Sequence, residues 1–189
     1  DPDTAYIPSH LQDEDLPIWS FNRRIIDATC SYAAAYKPNA AYYENSDGWD
    51  SLVETISYAH GKGVPVILDA KRADIGATAH QYAKLLDMAD AITTNPYMGI
   101  DSLSPFLSRS DAGVFILCRT SNPGGSDLQN LKLSSGMYLY EHVALLADSW
   151  NEHGNVGLVV GATNPDELQR VRTLTPDLPF LVPGIGAQK

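Results

Sequence analysis

The run Asp69-Ala70-Lys71-Arg72-Ala73-Asp74-Ile75-Gly76 puts one lysine between two carboxylates. It continues the apolar stretch Val64-Pro65-Val66-Ile67-Leu68, which reads as a strand buried on both faces. Residues two apart on an extended strand share a face, so Asp69 and Lys71 are expected to project together. Asp74 then falls where the strand gives way to a loop or a first helical turn. Nearby opposite charge favours the charged form, so such a lysine is held as ammonium and serves as a proton donor rather than an amine nucleophile. A Schiff-base enzyme needs the neutral amine, which the flanking acids oppose. The plainer reading of the same residues is a solvated turn with surface ion pairs, which contribute little.

Other polar residues gather where short apolar runs end. Lys37 follows the stretch entering Tyr36, and Asn95 follows Ala91-Ile92-Thr93-Thr94. Arg119 and Ser121 follow Gly113-Val114-Phe115-Ile116-Leu117-Cys118, and Gly161 with Thr163 follows Val156-Gly157-Leu158-Val159-Val160. A further strand is expected at Pro179-Phe180-Leu181-Val182, ahead of Gly184-Ile185-Gly186. Amphipathic patterns separate these runs: Ile18, Phe21, Ile25 and Ala28 recur at helical spacing, as do Leu52, Ile56 and Ala59 before Gly61 and Gly63. Asn164-Pro165-Asp166-Glu167 supplies an N-cap, a first-turn proline and an acid three residues after the cap.

Strands alternating with helices give an α/β fold on a parallel sheet. Ligands bind at the carboxyl edge of such a sheet, which is the edge these polar residues occupy. Each has a plainer reading when taken singly. Lys37 could be a solvent-reaching lysine, Gly184-Ile185-Gly186 a turn rather than a phosphate-cradling nest, and Ser121 part of the turn Ser121-Asn122-Pro123-Gly124-Gly125.

At 44% hydrophobic and 19% charged, the 189 residues fit one globular domain over 1–189 and no disordered, fibrous or membrane class. With 23 acids against 13 bases the net charge is -10. That surface repels polyanions and argues against nucleic acid as a partner, while a small phosphorylated ligand stays compatible. No apolar run reaches the roughly 18 residues of a membrane span, and no basic segment leads into an apolar one. Cys30 and Cys118 lie in apolar stretches and read as structural thiols in a reducing, cytoplasmic setting. His10, His60, His80, His142 and His153 show no metal-ligand spacing, so no metal is assigned.

The segment Asp69 to Gly76 closely resembles the D-x-K-x-x-D-I-G signature of the orotidine 5'-phosphate decarboxylase family. Tyr36-Lys37-Pro38-Asn39 is similar to the K-P-N segment of that family's bacterial type 2 branch. The resemblance continues, in family order, through Thr94-Asn95-Pro96-Tyr97-Met98-Gly99, Arg119-Thr120-Ser121-Asn122-Pro123-Gly124, Val160-Gly161-Ala162-Thr163 and Pro183-Gly184-Ile185-Gly186-Ala187-Gln188. It implies a TIM (β/α)8 barrel. The barrel is expected here to lack the first strand and the last βα unit, because a complete one takes about 250 residues and no residue matches the family's phosphate-gripping arginine.

The resemblance also implies cofactor-free decarboxylation of orotidine 5'-phosphate to UMP by a homodimer with sites at the interface. Lys71 would protonate the C6 carbanion within a charged network of Lys37, Asp69 and Asp74, with Asp74 and Thr78 reaching into the partner's site. Asp1 and Lys37 would contact the ribose, Ser121 would hydrogen-bond the pyrimidine, and Gln188, with Gly186, would hold the phosphate. Two rivals share parts of the pattern. One is a Mg2+-dependent sugar-phosphate decarboxylase or synthase with the same D-x-K-x-x-D core, against which Lys37, Ser121 and the type 2 segments weigh. The other is a non-catalytic fragment that binds nucleotide.

Overall fold

A computed structural model describes residues 2–44 and 48–186. Its strands β1 (Ile67–Arg72), β2 (Ala91–Thr94), β3 (Gly113–Arg119), β4 (Val156–Val160) and β5 (Phe180–Leu181) form one sheet in the order β1-β2-β3-β4-β5. Helices α1 (Ser9–Gln12), α2 (Pro17–Thr29) and α3 (Gly48–Gly61) precede β1, and α4 (Gly76–Ala83) joins β1 to β2. Helix α5 (Ile100–Leu107) joins β2 to β3, α6 (Ser126–Gln129) and α7 (Leu139–Ser149) join β3 to β4, and α8 (Pro165–Leu174) leads to β5. Parallel pairing of β3 with β4 and of β4 with β5 requires these helical crossovers. Strands running in sequence order are the topology of a (β/α) barrel sheet. The chain divides into two compact units, which are described in turn.

The first unit comprises Asp1–Ala70 and Lys84–Ile92. Leu52, Ile56 and Ala59 of α3 are buried, as their spacing predicts. On α2 the inner face departs from the expected one: Ile18 and Ile26 are buried, whereas Ile25 is 45% exposed. Asn22 occupies the inner position instead, its Nδ2 donating to Tyr43 Oη (2.8 Å) and Thr55 Oγ1 (3.0 Å). A carboxamide with both donors satisfied is tolerated inside. Burial pushes the Tyr43 phenol up to about 12, which keeps it a neutral acceptor at physiological pH.

The strand expected at Tyr36-Lys37 is realised as two parallel bridges, Tyr36 with Val66 and Asn39 with Asp69. Tyr36 N–H donates to Pro65 O, Ile67 N–H to Tyr36 O and Asp69 N–H to Pro38 O. Pro38 has no N–H to give back, so the ladder loses a rung there and no continuous strand forms.

The entrance to β1 is held by Asp90. Its Oδ2 accepts from Val66 N–H (2.7 Å) and meets His60 Nε2 at 2.7 Å. Burial alone would raise this carboxyl, but the Val66 and His60 hydrogen bonds outweigh it and hold it below the usual range. A depressed folded value means the stabilisation is complete above the ordinary carboxylate range and disappears as pH falls through the folded value. Asp90→Asn is therefore expected to lower stability at neutral pH by about 1 kcal/mol or less, because half the side chain is in water. The gap between variant and wild type should close below about pH 4, as urea midpoints across a pH series will show. A gap that persists in acid would exclude the charge as its source.

The second unit comprises Lys71–Ala83 and Thr93–Lys189. Every residue of β4 is buried, and its partner β3 runs in register from Val114 with Val156 to Leu117 with Val159. The register then shifts so that Arg119 pairs with Val160 and Cys118 is the extra residue of a bulge. Strand alternation therefore breaks, and Cys118 and Arg119 are buried in succession. At the amino end of β4, Asn155 Nδ2 donates to the carbonyls of Leu107, Arg109 and Ala112.

Candidate functional site

In the first unit the Asn39–Asp69 bridge fixes the site geometry. Residues paired across parallel strands share a face, and so do Lys37 and Asn39, two apart along the chain. Lys37 and Asp69 must therefore stand on one face, and Lys37 Nζ lies 2.7 Å from Asp69 Oδ2. The Asp69 side chain is 11% exposed and that of Lys37 33%. This is a nearly buried carboxylate tied to an ammonium whose head still meets water.

In the second unit, Lys71 is the sole non-glycine residue at positive φ (50°) among the described residues. The left-handed region is disfavoured for an L-residue by about 1–2 kcal/mol and persists only where its surroundings fix it. Here Lys71 N–H donates to Oγ1 of the buried Thr93 (2.9 Å), and Asn95 N–H donates to Arg72 O (3.0 Å). The backbone is left-handed at Lys71 although β1 continues through Arg72, so strand spacing alone does not set where this side chain stands. Asp69 is buried, whereas the turned backbone leaves the Lys71 side chain exposed. Asp74 is half-buried at the entry to α4, with Oδ1 accepting from Ile75 N–H (2.8 Å). Thr78 is exposed on the first turn of that helix.

Beyond β3 lies a cleft of about 610 Å³ lined by Ser121, Asn122, Thr163, Asn164 and Arg119 among others. Thr163 Oγ1 donates to Ser121 O at 2.9 Å. Arg119 is 4% exposed, with Nη1 donating to Thr120 O (2.9 Å) and Gln129 Oε1 (3.2 Å) and Nη2 to Asn164 Oδ1 (3.1 Å). Glu167 Oε1 is 3.9 Å from Nη2. The cap predicted at Asn164 is therefore diverted: its side chain makes no cap hydrogen bond to α8, and both it and the acid three residues on face Arg119 instead.

Burial pushes the neighbouring Cys118 thiol up to about 12, so it stays protonated, with Sγ 3.2 Å from Tyr140 O. Thiolate chemistry has no place here. Cys30, half-buried, is likewise free. Gly184 and Gly186 both have positive φ (94° and 114°), and a Cβ at Gly186 would meet open space. Asp1 and Gln188 lie outside the described residues.

Sequence reasoning placed Arg119 at the functional edge but gave it no role. A charged residue closing an apolar strand was the available signal; the bulge that buries it was not. The strain at Lys71 had no signal, because no glycine or asparagine marks the position.

A sheet whose strands follow in chain order with helices between them, and polar residues after its strands, is the arrangement of an α/β barrel enzyme. The chain belongs to the orotidine 5'-phosphate decarboxylase / HUMPS family, whose model matches residues 15–189. It is 67% identical to the orotidine 5'-phosphate decarboxylase of Haloarcula marismortui, covering 100% of this chain and 70% of that one. The protein of the same name from Halorubrum lacusprofundi is 68% identical, over 100% of this chain and 68% of its own length. Among solved structures, the OMP decarboxylase of Leishmania donovani is 53% identical and matches with a TM-score of 0.84, over 88% of this chain and 68% of that one.

Proposed function

We propose that Lys71 is the proton donor in decarboxylation of orotidine 5'-phosphate to UMP, a carbon-carbon lyase reaction, with Asp69, Asp74 and Lys37 as its charged partners. The activity follows from the family and from relatives of that name at 67–68% identity across the whole chain. The observation that carries the assignment to Lys71 is its strained backbone within the D-x-K-x-x-D run.

Breaking the C6–carboxylate bond leaves an electron pair at C6 that the ring π system cannot delocalise. The barrier must fall through fixed charge and positioning. An ammonium at C6 stabilises the developing pair, then transfers a proton to it; carbon dioxide leaves, and the amine regains a proton from solvent. Asp69 faces the departing carboxylate, and Lys37, held by Asp69, contacts the ribose. Ser121 hydrogen-bonds the pyrimidine from the loop after β3. Asp1, Gly186 and Gln188 serve the ribose and phosphate.

The enzyme works as a homodimer in the cytoplasm, Asp74 and Thr78 reaching the partner's site. The exposure of Thr78 beside Ile75, which is 53% exposed, supports that reading. Lys37-Pro38-Asn39 and Arg119-Thr120-Ser121-Asn122-Pro123-Gly124 support the bacterial type 2 branch.

The test is turnover of orotidine 5'-phosphate with and without EDTA. Undiminished turnover under chelation is expected. Activity lost to EDTA and restored by Mg2+ would favour the sugar-phosphate rival, and nucleotide binding without turnover in either condition would favour a binding module.

A further inference from the structure

We propose that Arg119 is a positioning residue, a buried guanidinium that holds Ser121 at the substrate base; the inference rests on the reading of Ser121 given above. Arg119 does not line the loop from outside. The bulge at Cys118 turns it inward, and its two terminal nitrogens tie three segments together: the Thr120 carbonyl beside Ser121, Gln129 at the end of α6, and Asn164 at the start of α8.

Gln129 closes the arrangement, since its Oε1 also accepts from Thr120 N–H at 2.9 Å. Thr163 then fixes the Ser121 carbonyl. Two glycines show how tightly the loop is seated. A Cβ at Gly161 would stand 2.7 Å from Ser121 Cα and 2.8 Å from its nitrogen, and one at Gly125 would stand 2.9 Å from Arg119 Nη1.

The acceptors around Arg119 explain why a guanidinium is used. Three are neutral oxygens, and the nearest carboxylate, Glu167, is at 3.9 Å. Charge neutralisation is therefore a minor part of what the residue does. A planar fork that reaches several acceptors in fixed directions is the property required, and lysine lacks it.

A double-mutant cycle with Ser121→Ala tests this in the full-length protein. Misplacing a substrate contact by an ångström costs about a hundredfold in rate, so Arg119→Met is expected to lower kcat/KM by about that factor. With alanine already at 121, the same replacement should cost no more than about threefold, because its effect runs through the missing hydroxyl. Asn155→Ala, at the opposite edge of the sheet, is the structural control: it lowers Tm and leaves kcat/KM per folded molecule unchanged.

Should Arg119→Met fail to fold, Gln129→Leu takes its place in the cycle with the same expectation. Factors that multiply would overturn the positioning role and leave the Ser121 contact standing. Ser121→Ala with full activity would overturn both.

Discussion

Lys71→Ala is expected to lower kcat by at least about 10⁴-fold while a UMP-like nucleotide still binds within about tenfold of wild type. Two functions leave with the ammonium. Proton delivery is worth about 10²–10⁴ and fixed charge at a developing anion about 10²–10³; because both act on one barrier, they multiply. Product has no pair of electrons at C6 to stabilise, so its affinity should depend little on Lys71.

The backbone supplies an independent check. At φ 50° a lysine and an alanine carry the same strain, of about 1–2 kcal/mol, whereas glycine carries none. Lys71→Gly should therefore be as inactive as Lys71→Ala but melt at a higher temperature, once the greater flexibility of glycine in the unfolded chain is offset. Single-turnover rates, calorimetric titration with UMP and thermal melts decide the matter. A Lys71→Ala variant with wild-type kcat would end the proton-donor assignment, and a Lys71→Gly melting below Lys71→Ala would show that the positive φ carries no strain.

What the sequence made legible depended on how far each feature is a local property. The continuous apolar run at β4 gives its boundaries residue for residue, because a strand buried on both faces needs apolar residues throughout, and β2 is matched as well although two of its four buried residues are threonines. The run Val64–Asp69 is less exact: pairing starts in earnest at Ile67 and continues through Lys71 and Arg72. There the exposed Lys71 and the half-buried Arg72 take ladder positions that an apolar run does not mark.

Features set by partners elsewhere in the chain were hidden. Asn22 is inside because Tyr43 and Thr55 accept its hydrogens, and Ile25 is outside as a result. Asn164 has every local mark of a helix cap, yet a guanidinium 45 residues away claims its oxygen. The same holds at the site. The D-x-K-x-x-D pattern identified the charged residues, but the left-handed backbone at Lys71 is held by Thr93, and Arg72 beside it by Asn95, across the sheet.

The Lys37–Asp69 pair separates stability from chemistry. Lys37→Met is expected to lower kcat/KM by about 10²–10³-fold and to destabilise the fold by about 2 kcal/mol. Removing one member of a fully buried pair costs about 3–5 kcal/mol, and the lower figure applies because Lys37 keeps a third of its side chain in water. The damage to the fold comes from the Asp69 carboxylate, which is held near the protein interior and loses the ammonium 2.7 Å from it.

Making that carboxylate neutral should reverse the damage. Lys37→Met combined with Asp69→Asn is expected to regain wild-type stability or exceed it, since neutral groups of similar shape avoid the desolvation that an ion pair only partly repays. Activity should fall further in the double variant, because the charge proposed to face the substrate carboxylate is lost as well. Urea denaturation of the wild type, both single variants and the double, run beside kcat/KM, separates the two effects. If the double variant is less stable than Lys37→Met alone, the pair holds the fold together. If it is more stable and inactive, a less stable arrangement has been kept for the charge it presents to substrate, as the strained backbone two residues further along β1 would also indicate.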